Sequence, residues 1–132
     1  PIGTVGAHCT GVNDKSIGVC FEGNEIRLMR RLVRDYNFRN TMPAVTFDNW
    51  DGVRDNEEKN IFPYVGESDY TVNSSMPYEI GVLKPYLVKL LSDFDKDDKH
   101  FETAKYILNR VSLVDEIPDK LILDGYLYKE FV

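Results

Sequence analysis

Four arginines stand within the ten residues Arg30–Arg39 of a chain whose net charge is −6. Around them apolar residues recur at helical spacing, Ile26, Met29 and Val33 along one line and Leu28 and Leu32 along the next. That period predicts a helix over 25–38, with Asn24 as its N-cap and Glu25 in the favoured acidic first turn. On such a helix Arg27, Arg30, Arg31 and Arg34 lie three or four apart and share a side. Guanidiniums are planar, permanently charged and suited to bidentate contact with phosphate oxygens. The helix therefore reads as a polyphosphate clamp, with Arg39 at its C-terminal turn. The plainer reading is a solvated basic face tied to acids such as Glu25, Asp35, Asp48 or Asp51, because charged helix faces are commonplace.

The rest of the chain divides by its punctuation. Residues 1–14 are glycine-rich and loop-like, and Ile17, Val19 and Phe21 alternate as in a half-buried strand over 16–22, with Cys20 a small apolar neighbour. Thr41 caps a second helix with Pro43 at an early position, carrying Val45, Phe47 and Trp50 and ending near Asp51-Gly52. Arg54–Lys59 is a charged, exposed helix or loop. Ile61–Tyr64 is extended, Asp69–Asn73 is a short strand and Tyr78–Leu83 suits another. Pro85 opens a helix with Tyr86, Leu87, Leu90, Leu91 and Phe94 on its stripe. Ser92–Lys99 is a charged linker. Its aspartates Asp95, Asp97 and Asp98 lack the spacing and closing glutamate of a calcium loop. Phe101, Ala104, Ile107, Leu108 and Val111 define a further amphipathic helix, preceded by His100 as a surface residue. Val114–Pro118 is a turn, and Leu121–Val132 a final short element. The expectation is one α/β domain over 1–132, helix-rich with a small sheet built from Ile17–Phe21 and Tyr70–Asn73.

Composition narrows the function classes. At 132 residues and 42% apolar content the chain can bury one core. No run of eighteen apolar residues predicts a membrane span, and no signal-peptide pattern opens the chain. It starts at Pro1 without Met, which reads as a fragment or a processed product. The acidic balance argues against nucleic acid as a partner, since that requires a basic surface. Cys9 and Cys20 form no C-x-x-C pair, which disfavours metal and redox work and suits a reducing, cytoplasmic compartment. The eight tyrosines, Tyr64, Tyr70, Tyr78 and Tyr86 among them, read as core edges with a hydroxyl in water rather than as base-stacking rings.

Three blocks carry a family resemblance. They are Arg27–Arg39 (Arg-Leu-Met-Arg-Arg-Leu-Val-Arg-Asp-Tyr-Asn-Phe-Arg), Trp50–Tyr64 (Trp-Asp-Gly-Val-Arg-Asp-Asn-Glu-Glu-Lys-Asn-Ile-Phe-Pro-Tyr) and Ser68–Tyr86, which contains Asn-Ser-Ser-Met-Pro-Tyr-Glu-Ile-Gly-Val-Leu-Lys-Pro-Tyr. In this order and spacing residues 25–132 resemble the C-terminal half of the kinase domain of the uridine kinase/phosphoribulokinase-type P-loop kinases, the bacterial uridine kinase-like proteins in particular. The tail from His100, with its Ile-Pro-Asp turn, is similar to the closing helices of that family. The resemblance implies a partial P-loop kinase-like fold, transfer of the ATP γ-phosphoryl to a nucleoside or sugar hydroxyl with Mg²⁺, and Arg30, Arg31, Arg34 and Arg39 as lid arginines near the nucleotide phosphates. Asp35 would hold the lid helix or orient an arginine. Asn40 replaces the glycine usual after the last arginine, and asparagine tolerates the left-handed backbone a turn there requires. The chain contains no G-x-x-x-x-G-K-[ST] motif; Gly18–Gly23 has the glycine spacing but is followed by Asn24 and Glu25. The missing loop implies that the chain is not catalytic alone: it reads as a fragment, a degenerate homologue or a partner to another polypeptide, and it implies association with a missing N-terminal half or self-association.

Gly6–Asn24 resembles a different group, a segment of the zinc N-acetylmuramoyl-L-alanine amidases and peptidoglycan recognition proteins, in which His8 would be a cleft residue. A zinc site of that kind needs two histidines and a third ligand, and this chain has only His8 and His100. Three classes therefore stand: a phosphotransferase part, an amidase-like fragment and a non-enzymatic interaction domain. The phosphoryl acceptor is not legible.

Overall fold

The computed structural model describes residues 23–132. The expected strand at 16–22 and the amidase-like segment up to Glu22 lie outside the described residues. The first helix, α1, runs Gly23–Arg39. It begins two residues earlier than its apolar period predicts. Leu28, Met29, Leu32 and Val33 are buried, the i, i+4 pairs of a core-facing stripe. Helix α1 stops at Asn40, whose φ of 51° is left-handed, and the Thr41 amide then donates to the Asp35 carbonyl at 2.9 Å. Asparagine serves here where glycine is the default.

Helix α2, Pro43–Asn60, has Pro43 in its first turn as the sequence predicts, but its N-cap is the extended Met42 and not Thr41, whose hydroxyl donates to the Arg39 carbonyl at 3.3 Å. It does not end at Gly52 but continues through the charged run Arg54–Lys59. A single glycine costs a helix only about 1 kcal/mol. Its hold on the core is narrow. Phe47 is buried, lies 5.8 Å edge-on from Phe94 and stacks at 5.2 Å on His100, so His100 is half-buried beneath α2 rather than on the surface. A 3₁₀ turn, Phe62–Glu67, follows α2. Tyr70–Met76 has no helix, turn or bend.

Helix α3, Glu79–Leu91, is the central element. It packs against α1 and against α4, Phe101–Val111. Ile80, Leu83, Leu87, Leu90 and Leu91 of α3 meet α1 and the Ala104, Ile107 and Val111 stripe of α4 in one cluster. A second, smaller cluster forms on the other side of α3. There Val82 meets Ile122 and Tyr128, held by the 3₁₀ turns Asp119–Leu121 and Leu127–Glu130.

The α/β expectation is thus corrected. No strand occurs among the described residues. Tyr78–Leu83, read as a strand, is the N-cap and opening turn of α3. The six-residue window hid the longer period of Ile80, Leu83, Leu87 and Leu91, which is helical. Asp69–Asn73 has a strand's alternation but no second strand beside it among the described residues, and a lone strand leaves its ladder unpaired.

Pro85, expected to open a helix, sits inside α3. Proline has no N–H, so the carbonyl four residues back, that of Gly81, loses its helical donor. The amide of Ile117 takes that place, donating to Gly81 O at 3.0 Å. The approach is possible because Gly81 has no side chain. A Cβ there would meet Asp115 O at 2.7 Å and Ile117 Cγ1 at 2.9 Å. Gly81→Ala should lower stability by about 1–3 kcal/mol through this overlap, although alanine is the better helix former. Thermal or urea unfolding followed by circular dichroism measures it, and an alanine variant as stable as the native chain contradicts the tight notch.

Candidate functional site

Helix α1 turns its arginines toward α2 and the C-terminal segment. Arg27, Arg30, Arg31 and Arg34 line one cavity of about 200 Å³, with Trp50, Val53 and Glu57 of α2 across from them and Phe131 at one side. Three of the four arginines expected from the sequence are therefore together. Arg39 does not line the cavity. It sits past the last turn, largely exposed, joined to the others through Asp35.

Arg30 is the most engaged. Its Nε and Nη2 donate to the two carboxylate oxygens of Glu79, the second at 2.9 Å. Nη2 also reaches the Ser74 carbonyl at 2.9 Å and the Tyr128 hydroxyl at 3.3 Å. The rings of Tyr128 and Phe131 lie 5.7 and 5.8 Å from the guanidinium carbon, in cation–π range. Glu79 is fully buried. Its hydrogen bond is the main cause that raises the Arg30 pKa above the ordinary value. Burial, followed by the Glu79 carboxylate, pushes the Tyr128 phenol up.

Asp35 is shared. It is 4% exposed and receives Arg34 Nη2 at 3.1 Å, Arg39 Nη1 at 3.4 Å and Arg31 Nε at 3.3 Å. The Thr46 hydroxyl of α2 adds a bond at 3.4 Å. Arg31 Nε is close but misaligned, and remains buried without a hydrogen-bond partner. At the other end Arg27 pairs with Glu57 and lies over the Trp50 ring at 5.9 Å. Its pKa is lowered by burial first, then by the positive charges of Arg54 and Arg30.

Five guanidiniums, those of Arg27, Arg30, Arg31, Arg34 and Arg39, thus face three carboxylates, Asp35, Glu57 and Glu79. The local field is positive within an acidic protein. Sequence reasoning found the arginines and Asp35. It missed Glu79, hidden in a segment read as a strand, and Glu57, hidden in a run read as solvated. The signal for Glu57 was its place seven residues after Trp50, one turn-pair along the same face. Two of the other proposed partners engage cations elsewhere: Glu25 pairs with Arg110 at 3.3 Å, and Asp48 receives Lys99 and the His100 ring, both at 2.7 Å. Those two contacts, Lys99 first, hold the Asp48 pKa down.

No protein-family model, no curated protein and no solved structure matches this chain. No helix among the described residues is long and apolar enough to cross a membrane.

The two kinds of arginine separate by mutation. Arg30→Ala leaves Glu79 buried and unpaired and should cost about 3–5 kcal/mol. Arg34→Ala leaves Asp35 still facing Arg31 and Arg39, and should cost less than about 1 kcal/mol. Equal losses in denaturant unfolding would contradict this division.

In α3 the Tyr86 hydroxyl donates to Asp119. Burial, then that carboxylate, raises the Tyr86 pKa from 10.0 to about 12. The unfolded chain ionises this phenol first, so its contribution is complete below pH 10 and is lost as pH rises toward 12. Stability of the native chain should fall more steeply than that of Tyr86→Phe across this window, as read by urea midpoints at stepped pH.

Proposed function

We propose that this chain supplies the arginine-bearing phosphate site of an ATP-dependent kinase of the uridine kinase-like type, acting on a nucleoside or sugar hydroxyl, and that it is not catalytic alone. The observation that carries the reading is the cavity between α1 and α2, into which Arg27, Arg30, Arg31 and Arg34 converge with more positive than negative charge. Its roughly 200 Å³ is below the usual volume of a pocket for a whole small molecule. That size suits the phosphate end of a nucleotide, with the remainder outside. Arg31 and Arg34 share a single carboxylate with Arg39, so an incoming phosphate can take up their donors without stripping a buried acid of all its cations. Arg30 shapes the wall, being committed to Glu79.

In phosphoryl transfer such arginines neutralise charge on the moving group. The Lys and hydroxyl that act on the β/γ-phosphates and Mg²⁺ belong to a P-loop motif, which this sequence does not contain. Among the described residues no group of three His, Cys, Asp or Glu side chains is placed to hold a metal. The part of these residues is to bind and orient the phosphate.

Titration calorimetry tests the reading with ATP, pyrophosphate and uridine against the intact chain. ATP and pyrophosphate should bind and uridine alone should not. Arg34→Ala and Arg31→Ala should each weaken the anions by about 1–3 kcal/mol, the range for a charge-assisted hydrogen bond. Absence of any heat with either anion defeats the proposal.

A further inference from the structure

Asp69–Asn73 is the part of the molecule that its own fold leaves unused. Tyr70 is 90% and Val72 83% exposed, and among the described residues no backbone hydrogen bond reaches this run. Asp69 lies at a bend, and from Tyr70 to Met76 the chain shows neither turn nor bend. Its far end is fixed: Ser74 is held by Arg30 at its carbonyl, and the Asn73 side chain accepts the Ser75 amide at 3.0 Å. The segment is thus anchored to α1 with its apolar side chains outward. Exposed Phe62 and Tyr64 lie just before it.

The order Asp-Tyr-Thr-Val-Asn alternates polar and apolar. A strand in a parallel sheet is covered on both faces and reads apolar throughout, whereas this pattern suits antiparallel pairing with one wet face. The sequence is also complementary to itself. In an antiparallel pair centred on Thr71, Tyr70 faces Val72 twice, Thr71 faces Thr71, and Asp69 faces Asn73 instead of another Asp69. Aromatic against β-branched and Thr against Thr are favourable cross-strand pairs, and like charges directly opposite are not. We propose that two copies of this chain associate through this segment as a twofold antiparallel strand pair. The symmetry is that of the commonest homodimers, each copy using the same patch, and the added ladder satisfies the open backbone groups. Five residues from each copy, with the neighbouring rings, make a small interface, so the dimer is a weak one. Each copy has a charge of −6, so the two repel at long range, and salt should strengthen the association by screening.

Analytical ultracentrifugation of the intact chain from about 10 μM to about 1 mM, a range set to span weak affinities, tests this at low salt and again in about 0.5 M NaCl, where screening is nearly complete. The expected result is a monomer–dimer equilibrium that tightens with salt. Val72→Asp should weaken it about tenfold or more by facing Tyr70 with a charge at two symmetric places, with an unchanged melting temperature because the site is exposed. The register has its own test. Asp69→Lys combined with Asn73→Asp sets opposite charges face to face twice and should tighten the dimer, whereas Asp69→Lys alone should not tighten it as much. A monomer throughout the concentration range, or a dimer indifferent to Val72→Asp, overturns the proposal.

Discussion

The ion pair between Arg30 and Glu79 is the contact on which the arrangement of the helices rests. It joins the middle of α1 to the first residue of α3. It also gathers the Ser74 carbonyl and the Tyr128 hydroxyl into one network. Burying both charges is costly by itself, and such pairs hold only where the remaining donors and acceptors are satisfied. Here the guanidinium fork uses both carboxylate oxygens, and two aromatic rings cover what is left. The pair therefore specifies geometry more than it adds stability. It fixes the rotation of α1 about its axis, and the other arginines inherit their directions from that setting.

Around this fixed point the charges are unequal by design of the sequence. Glu79 is matched one to one, while Asp35 is matched by three cations. A matched pair is inert toward an outside ion. A shared carboxylate leaves positive potential available, and the Arg31 Nε hydrogen has no acceptor of its own. The same helix therefore holds an arginine matched to its own carboxylate and, a turn away, a group of three that share one. The cation that builds the wall and those that would meet a phosphate are told apart by their partners and not by their spacing.

How much of this was legible beforehand depended on the length of each pattern. The α1 stripe from Ile26 to Val33 covers about two turns and predicts the helix correctly, and the left-handed Asn40 was legible too. The α4 stripe of Ala104, Ile107 and Val111 was equally clear. Failure came where two periods fit a short window. Tyr78–Leu83 can be counted by twos or by three-and-fours, and only the leucines beyond Pro85 decide. Proline itself misled, because a start signal and a mid-helix interruption look alike until the orphaned carbonyl's new donor is known. The carboxylates Glu57 and Glu79 could not be assigned, since pairing across 30 and 49 residues is a property of helix packing and not of either segment. Asp69–Asn73 was read as a strand on a sound pattern, and what it lacks among the described residues is a neighbour.

The notch at Gly81 and Pro85 has a consequence for how the molecule opens. A carbonyl in the middle of a helix is ordinarily bonded within that helix, so a loop can detach while the helix stays whole. In α3 one rung of the ladder is supplied from outside, by the Ile117 amide. The turn that carries Ile117 is also held by Lys84, whose ammonium reaches the Val114 carbonyl at 2.6 Å. Releasing the turn leaves α3 with an unanswered acceptor beside a proline, and fraying α3 removes the turn's anchor. Helix and turn are in this sense one cooperative unit. The segment from Val114 to Ile117, irregular by its backbone, shares the lifetime of the central helix and not that of a surface loop.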